Sequence, residues 1–293
     1  MYQHYIKGKK MNSSRKLHQS LSTFLLKGQS IDSFANAALN RTAAFWFLVA
    51  AAGMWLFVFY ILVLYGSAAI RGDFEGWNKV MVHGYEEGNI TGNLLLGAHL
   101  LFAAIITFGG TLQLIPQIRN RIPRFHRWNG RVFILAAFIM GVSGLYLNMT
   151  GRSSSGNNLQ RIAVGINALL MMVFAVVAFR YAHTRKFDIH RRWAMRLFLA
   201  VNGTWFFRTG LMFWVFLTGG VGINWETFSG PFLITWNFGQ YLIPIVVLEL
   251  YFLTQKQKGV SGKFLMAGAL LVLTFAMGIG IIKAFTDMWL PHL

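Results

Sequence analysis

Apolar and polar positions follow one another along this chain in long blocks, not in short periods. Seven apolar blocks, near residues 43–66, 91–116, 131–149, 161–181, 195–218, 232–254 and 263–285, are separated by short polar segments. A helix needs roughly 20 mainly apolar residues to cross a bilayer, so the pattern predicts an all-α polytopic membrane helix bundle with seven transmembrane helices. Organisation follows from the same blocks: a basic N-terminal tail over 1–41, a transmembrane domain over 42–285 and a short C-terminus over 286–293. The hairpins at 91–149 and 161–218 resemble each other, since each closes through a basic loop that ends in histidine. A duplicated hairpin packed as a four-helix core is therefore expected, with the remaining spans around it.

Composition agrees. Hydrophobic residues make up 55% of the 293 positions and charged ones only 12%, too apolar a balance for a soluble domain of this length. The net charge of +18 suggests nucleic acid in a soluble protein, but here its distribution argues against such a partner. Of the 27 Lys and Arg, 21 fall on one set of connections and five on the other, leaving Arg208 within a span. The positive-inside rule then predicts a cytoplasmic N-terminus and, after seven crossings, an external C-terminus. The tail carries Lys7, Lys9, Lys10, Arg15 and Lys16 and lacks the features of a signal peptide; it is expected to be disordered or bound to anionic lipid. With no cysteine, the chain has no disulfide, thiolate ligand or cysteine nucleophile.

The most distinctive residues stand at the ends of the two basic loops. One reads His126-Arg127-Trp128-Asn129-Gly130-Arg131 and the other His190-Arg191-Arg192-Trp193-Ala194-Met195-Arg196. Two neutral imidazoles on facing helices can hold haem iron from both sides, and Arg127, Arg131, Arg191, Arg192 and Arg196 are suited to the propionates. The plainer reading makes Arg and Trp interfacial anchors and the histidines caps or headgroup contacts. Both readings fit the sequence.

Two further ionisable residues lie deep in apolar blocks. His99 sits about eight residues into the second block and Arg208 about twelve residues beyond Arg196. Such groups are costly in a membrane and mark candidate sites. Together with His83 from the loop over 67–90, they are expected to line an outer site for a quinone headgroup, an anionic ligand or a haem propionate. The alternative is a structural polar network with Asn167, Asn202, Asn237 and Gln240. Glu249, near the end of the sixth block, is within reach of the interface, Arg196 or Lys256. No phosphate loop, dinucleotide fingerprint or nucleophile elbow is present.

Residues 110–131 read Gly-x-x-Gln-Leu-x-Pro-x-x-Arg-x-Arg-x-Pro-x-x-His-Arg-x-x-Gly-Arg. With His99 upstream and His190-Arg191-Arg192-Trp193 and Arg208 downstream, this stretch resembles a bacterial predicted-membrane-protein family, domain of unknown function 2306 (DUF2306), over roughly residues 90–215. The resemblance implies a multi-pass protein of the bacterial cytoplasmic membrane and no particular activity. A looser similarity connects the hairpins to cytochrome b561 and ferric-reductase-like transmembrane proteins. Those proteins place paired histidines inside facing helices, whereas here only His99 lies well inside a span and the fourth block has none. The functional expectation is a membrane oxidoreductase carrying b-type haem on His126 and His190, with a quinone or redox partner. Its alternative is a haem-free transporter or ligand-binding protein built on His99 and Arg208.

Overall fold

The computed structural model describes the backbone of residues 2–81, 84–151, 156–257 and 259–293, with side chains from residue 31 onward within those ranges. The described chain is helical, with a single isolated bridge between Asn224 and Ser229. In order, the helices are α1 (Tyr2–Ile61), α2 (Ser67–Arg71), α3 (Ile90–Leu114), α4 (Pro116–Arg121), α5 (Pro123–Met149), α6 (Asn158–His183), α7 (Phe187–Val201), α8 (Gly203–Thr218), α9 (Pro231–Lys256) and α10 (Val260–Ala284). Six stretches are long and apolar enough to cross a membrane: Ile31–Arg71, Ile90–Leu114, Pro123–Met149, Asn158–His183, Pro231–Lys256 and Val260–His292. Large apolar side chains on them point outward, with Leu48 64%, Phe59 53%, Leu265 77% and Val272 69% exposed. Patches of this kind are untenable in water and natural in hydrocarbon. The protein is a multi-pass membrane protein.

The fifth apolar block differs from expectation. Instead of one span over 195–218, the structure has α7 and α8 in succession, parted at Asn202. The cause is local. The Asn202 side chain donates 2.8 Å to the Phe198 carbonyl and Gly203 follows, so a residue that competes for backbone partners sits beside the weakest helix former but proline. α7 is also amphipathic, carrying Asp188, His190, Arg191 and Arg192 in its first two turns.

Helix ends are set by recognisable chemistry. Asn89 caps α3 through the Gly92 amide, Asn157 and Gln160 form a reciprocal capping box on α6, and prolines open α4 and α5. The loop after α2 is ordered by Asp73, which accepts from the Gly76 amide, and by Trp77, whose buried indole donates 3.1 Å to the Tyr65 carbonyl.

The chain forms two compact units: residues 1–47 with 250–273, and residues 48–249 with 274–293. In the first, Phe34 packs against Phe264 with ring centroids 5.9 Å apart. In the second, α3 packs on α5, α5 on α6, α6 on α7, and α7 returns to α3, closing a circuit of four helices. Close approach of α3 to its neighbours depends on Gly110, where an added Cβ would stand 2.7 Å from the Phe133 ring and 3.2 Å from that of Phe198.

Candidate functional site

The α3, α5 and α7 ends that meet in this circuit assemble the two histidines singled out by the sequence. Asn129 donates 2.8 Å to the Gly109 carbonyl, and Gln113 donates 3.0 Å to the carbonyl of His126 itself, so the end of α3 grips the first two turns of α5. The spacing Gly-x-x-Gln followed by His and Gly is thus an interlock between helices: a Cβ at Gly130 would come within 3.3 Å of Gln113. His190, in the first turn of α7, places Nδ1 2.9 Å from the Ala178 carbonyl on α6. A carbonyl can only accept, so Nδ1 carries the proton, and in the neutral imidazole Nε2 is then the nitrogen with the lone pair. His126 is half-buried and its Nδ1 is buried with no hydrogen-bond partner among the described residues. Arg119 and His190 lie close enough to act on the His126 ring electrostatically.

Of the arginines expected beside these histidines, two are committed elsewhere. Arg196 makes a two-pronged ion pair with Glu249, Nε to Oε1 at 2.6 Å and Nη2 to Oε2 at 2.9 Å, and its guanidinium lies 4.5 Å over the Trp193 ring. Arg131 is exposed and sits 5.0 Å over the Trp128 ring, itself 65% exposed, the arrangement of an interfacial anchor. Arg127 and Arg191 are exposed at the same helix starts. One imidazole has its orientation set by a carbonyl, the support that metal-ligating histidines commonly use, and the other has a buried ring nitrogen without a hydrogen-bond partner among the described residues.

Residues 96–234 match the predicted-membrane-protein family DUF2306. The match runs from Leu96 in α3 to Ile234 in α9, so the circuit α3–α5–α6–α7, both histidines and Arg208 fall inside the DUF2306 region. It agrees with the resemblance read from the Gly110–Arg131 motif. No curated protein and no solved structure matches the chain.

His99 and Arg208 fall within the DUF2306 region too, but with separate partners. His99 Nδ1 is 3.1 Å from the Ser143 hydroxyl on α5, and that hydroxyl donates to the Met140 carbonyl. Arg208 on α8 donates 3.2 Å to the Thr204 carbonyl and lies 5.2 Å over the Phe57 ring of α1. Tyr60 and Tyr65 are within electrostatic range of it. His83 lies outside the described residues. The amides proposed as a structural network gather at the α7–α8 break: Asn167 donates 3.2 Å to the Ala200 carbonyl, and the space at Gly203 is bounded by Asn167 and Gln240.

Sequence reasoning did not find Gln113, Asn129, Ala178 or Ser143 as supports, nor the aromatic shell of Arg208. A carbonyl partner such as that of Ala178 leaves no mark in side-chain identity, whereas Gln113 lies in the quoted motif at a spacing that could have suggested its role.

Proposed function

We propose that this chain is an electron-transfer protein of the bacterial cytoplasmic membrane that binds b-type haem through His126 and His190. The carrying observation is the His190 Nδ1 to Ala178 carbonyl contact beside the unpartnered, buried Nδ1 of His126. Haem, when bound, supplies reversible one-electron transfer. The Ala178 carbonyl holds the His190 ring in one tautomer and orientation, and the Gln113 contact to the His126 carbonyl fixes the opposing helix start. Arg119, Arg127 and Arg191 place positive charge at this end for an anionic edge such as a propionate, a role that Arg196 cedes to Glu249. In this reading α7 and α8 together make a seventh crossing, the N-terminus is cytoplasmic and the C-terminus external, and a quinol or similar carrier is the redox partner.

The test is spectroscopic. Full-length protein, expressed with haem precursor and purified in detergent, is expected to show a reduced-minus-oxidised haem spectrum. His126→Ala and His190→Ala should each remove or shift it, while His183→Ala, at the exposed end of α6, should leave it intact. Colourless protein that also fails to take up added haemin overturns the proposal, as does a spectrum indifferent to both substitutions.

A further inference from the structure

Arg208 has an unusual set of neighbours for a charge within the apolar part of a membrane protein. Its described partners are one backbone carbonyl and aromatic rings, and no carboxylate pairs with it among the described residues. A guanidinium offers five N–H donors, and one of them reaches Thr204. Two more donors stand nearby without acceptors. Trp205 and Trp289 are each only 1% exposed, and the indole nitrogen of each is buried with no hydrogen-bond partner among the described residues. By contrast the buried indole of Trp77 reaches the Tyr65 carbonyl, as buried tryptophans normally do.

These three side chains converge on one face of α1. Trp205 and Arg208 are one turn apart on α8, and Gly53 and Phe57 are one turn apart on α1. The Trp205 ring passes Gly53 closely enough that an added Cβ would stand 2.8 Å from it, and the guanidinium lies over Phe57 on the next turn. Trp289 completes the cluster, with its ring 5.3 Å from Phe57 and 6.0 Å from Tyr60. The result is one full positive charge and two orphaned N–H donors among aromatic walls; among the described residues the Thr204 carbonyl is the one acceptor hydrogen-bonded to any of them, with the Tyr60 and Tyr65 side chains within electrostatic range of the guanidinium. The two buried indole donors left so are a cost that a bound acceptor would relieve.

We infer that this cluster binds a monocarboxylate with an apolar body. A carboxylate matches the planar fork and can also accept from an indole, which satisfies charge and donors together. The single guanidinium matches one negative charge, and the walls supplied by Phe57 and Tyr60 suit an apolar remainder. Arg208 lies eighteen residues beyond His190 along the α7–α8 run, about 27 Å at 1.5 Å per residue. The site is thus distinct from the histidine pair and does not rest on the haem reading.

The experiment is thermal unfolding of the full-length protein in detergent with sodium benzoate, sodium decanoate, neutral benzamide or sodium chloride at matched ionic strength. Saturable stabilisation is expected from a carboxylate and not from benzamide or chloride. Benzoate activity identifies a compact acid as the ligand; activity of decanoate alone identifies an acyl chain. Trp289→Phe keeps an aromatic ring but removes the five-membered ring with its N–H, so, with its fold checked by the unfolding temperature without acid, it should bind the effective acid about tenfold more weakly. Arg208→Gln should abolish the effect. The inference fails if neither acid stabilises the wild type beyond chloride, or if Trp289→Phe binds the acid as well as the wild type.

Discussion

The ion pair of Arg196 with Glu249 should join α7 to α9 with measurable energy, and its size follows from its surroundings. Exposed pairs contribute about 0.2–1 kcal/mol, while breaking a fully buried pair costs about 3–5 kcal/mol. This pair falls between the two, because the Arg196 side chain is 19% exposed and that of Glu249 is 41% exposed. Two charge-assisted hydrogen bonds in the fork geometry and the Trp193 face at 4.5 Å raise it above the surface median. The expected coupling is about 1–2 kcal/mol. A double-mutant cycle with Arg196→Met, Glu249→Gln and the combined variant, each unfolded reversibly in mixed micelles, measures it directly. Because the partners touch at 2.6 Å, well inside the Debye length of roughly 10 Å at 0.1 M salt, moderate salt should weaken the coupling only in part. Additive single effects, with a coupling under about 0.3 kcal/mol, would refute the tie and return Arg196 to the set available for an anionic cofactor.

Two more outcomes test the packing and the topology. Gly110→Ala should destabilise by about 1–2 kcal/mol despite alanine's higher helix propensity, because its Cβ must displace the Phe133 and Phe198 rings; Gly268→Ala, with nothing within 4 Å, should be neutral or stabilising by up to about 1 kcal/mol in the same unfolding assay. A reporter active only outside the cytoplasm, fused after Leu293, should be active under the seven-crossing proposal, and a silent fusion beside an active cytoplasmic reporter at the same site rules that topology out.

The sequence alone determined the class of this protein and most of its spans, because lipid imposes one requirement that hydropathy reports directly: every backbone polar group must be satisfied within a helix. Six of the seven blocks return as long helices, and the Gly110–Arg131 motif pointed to the family found over residues 96–234. The break at Asn202 escaped notice because one asparagine in an apolar run barely alters hydropathy, while its side chain competes for the Phe198 carbonyl. Glu249 had three available partners in sequence, and only packing of α7 and α9 selects Arg196. His190 was legible as a residue, but the Ala178 carbonyl that orients it belongs to a neighbouring helix. The same holds most strongly for Arg208. Its depth is read from hydropathy, yet its company comes from Phe57 and Tyr60 on α1 and from Trp289 near the other end of the chain. Segments so far apart are joined by tertiary packing, and linear periodicity carries no record of which faces meet.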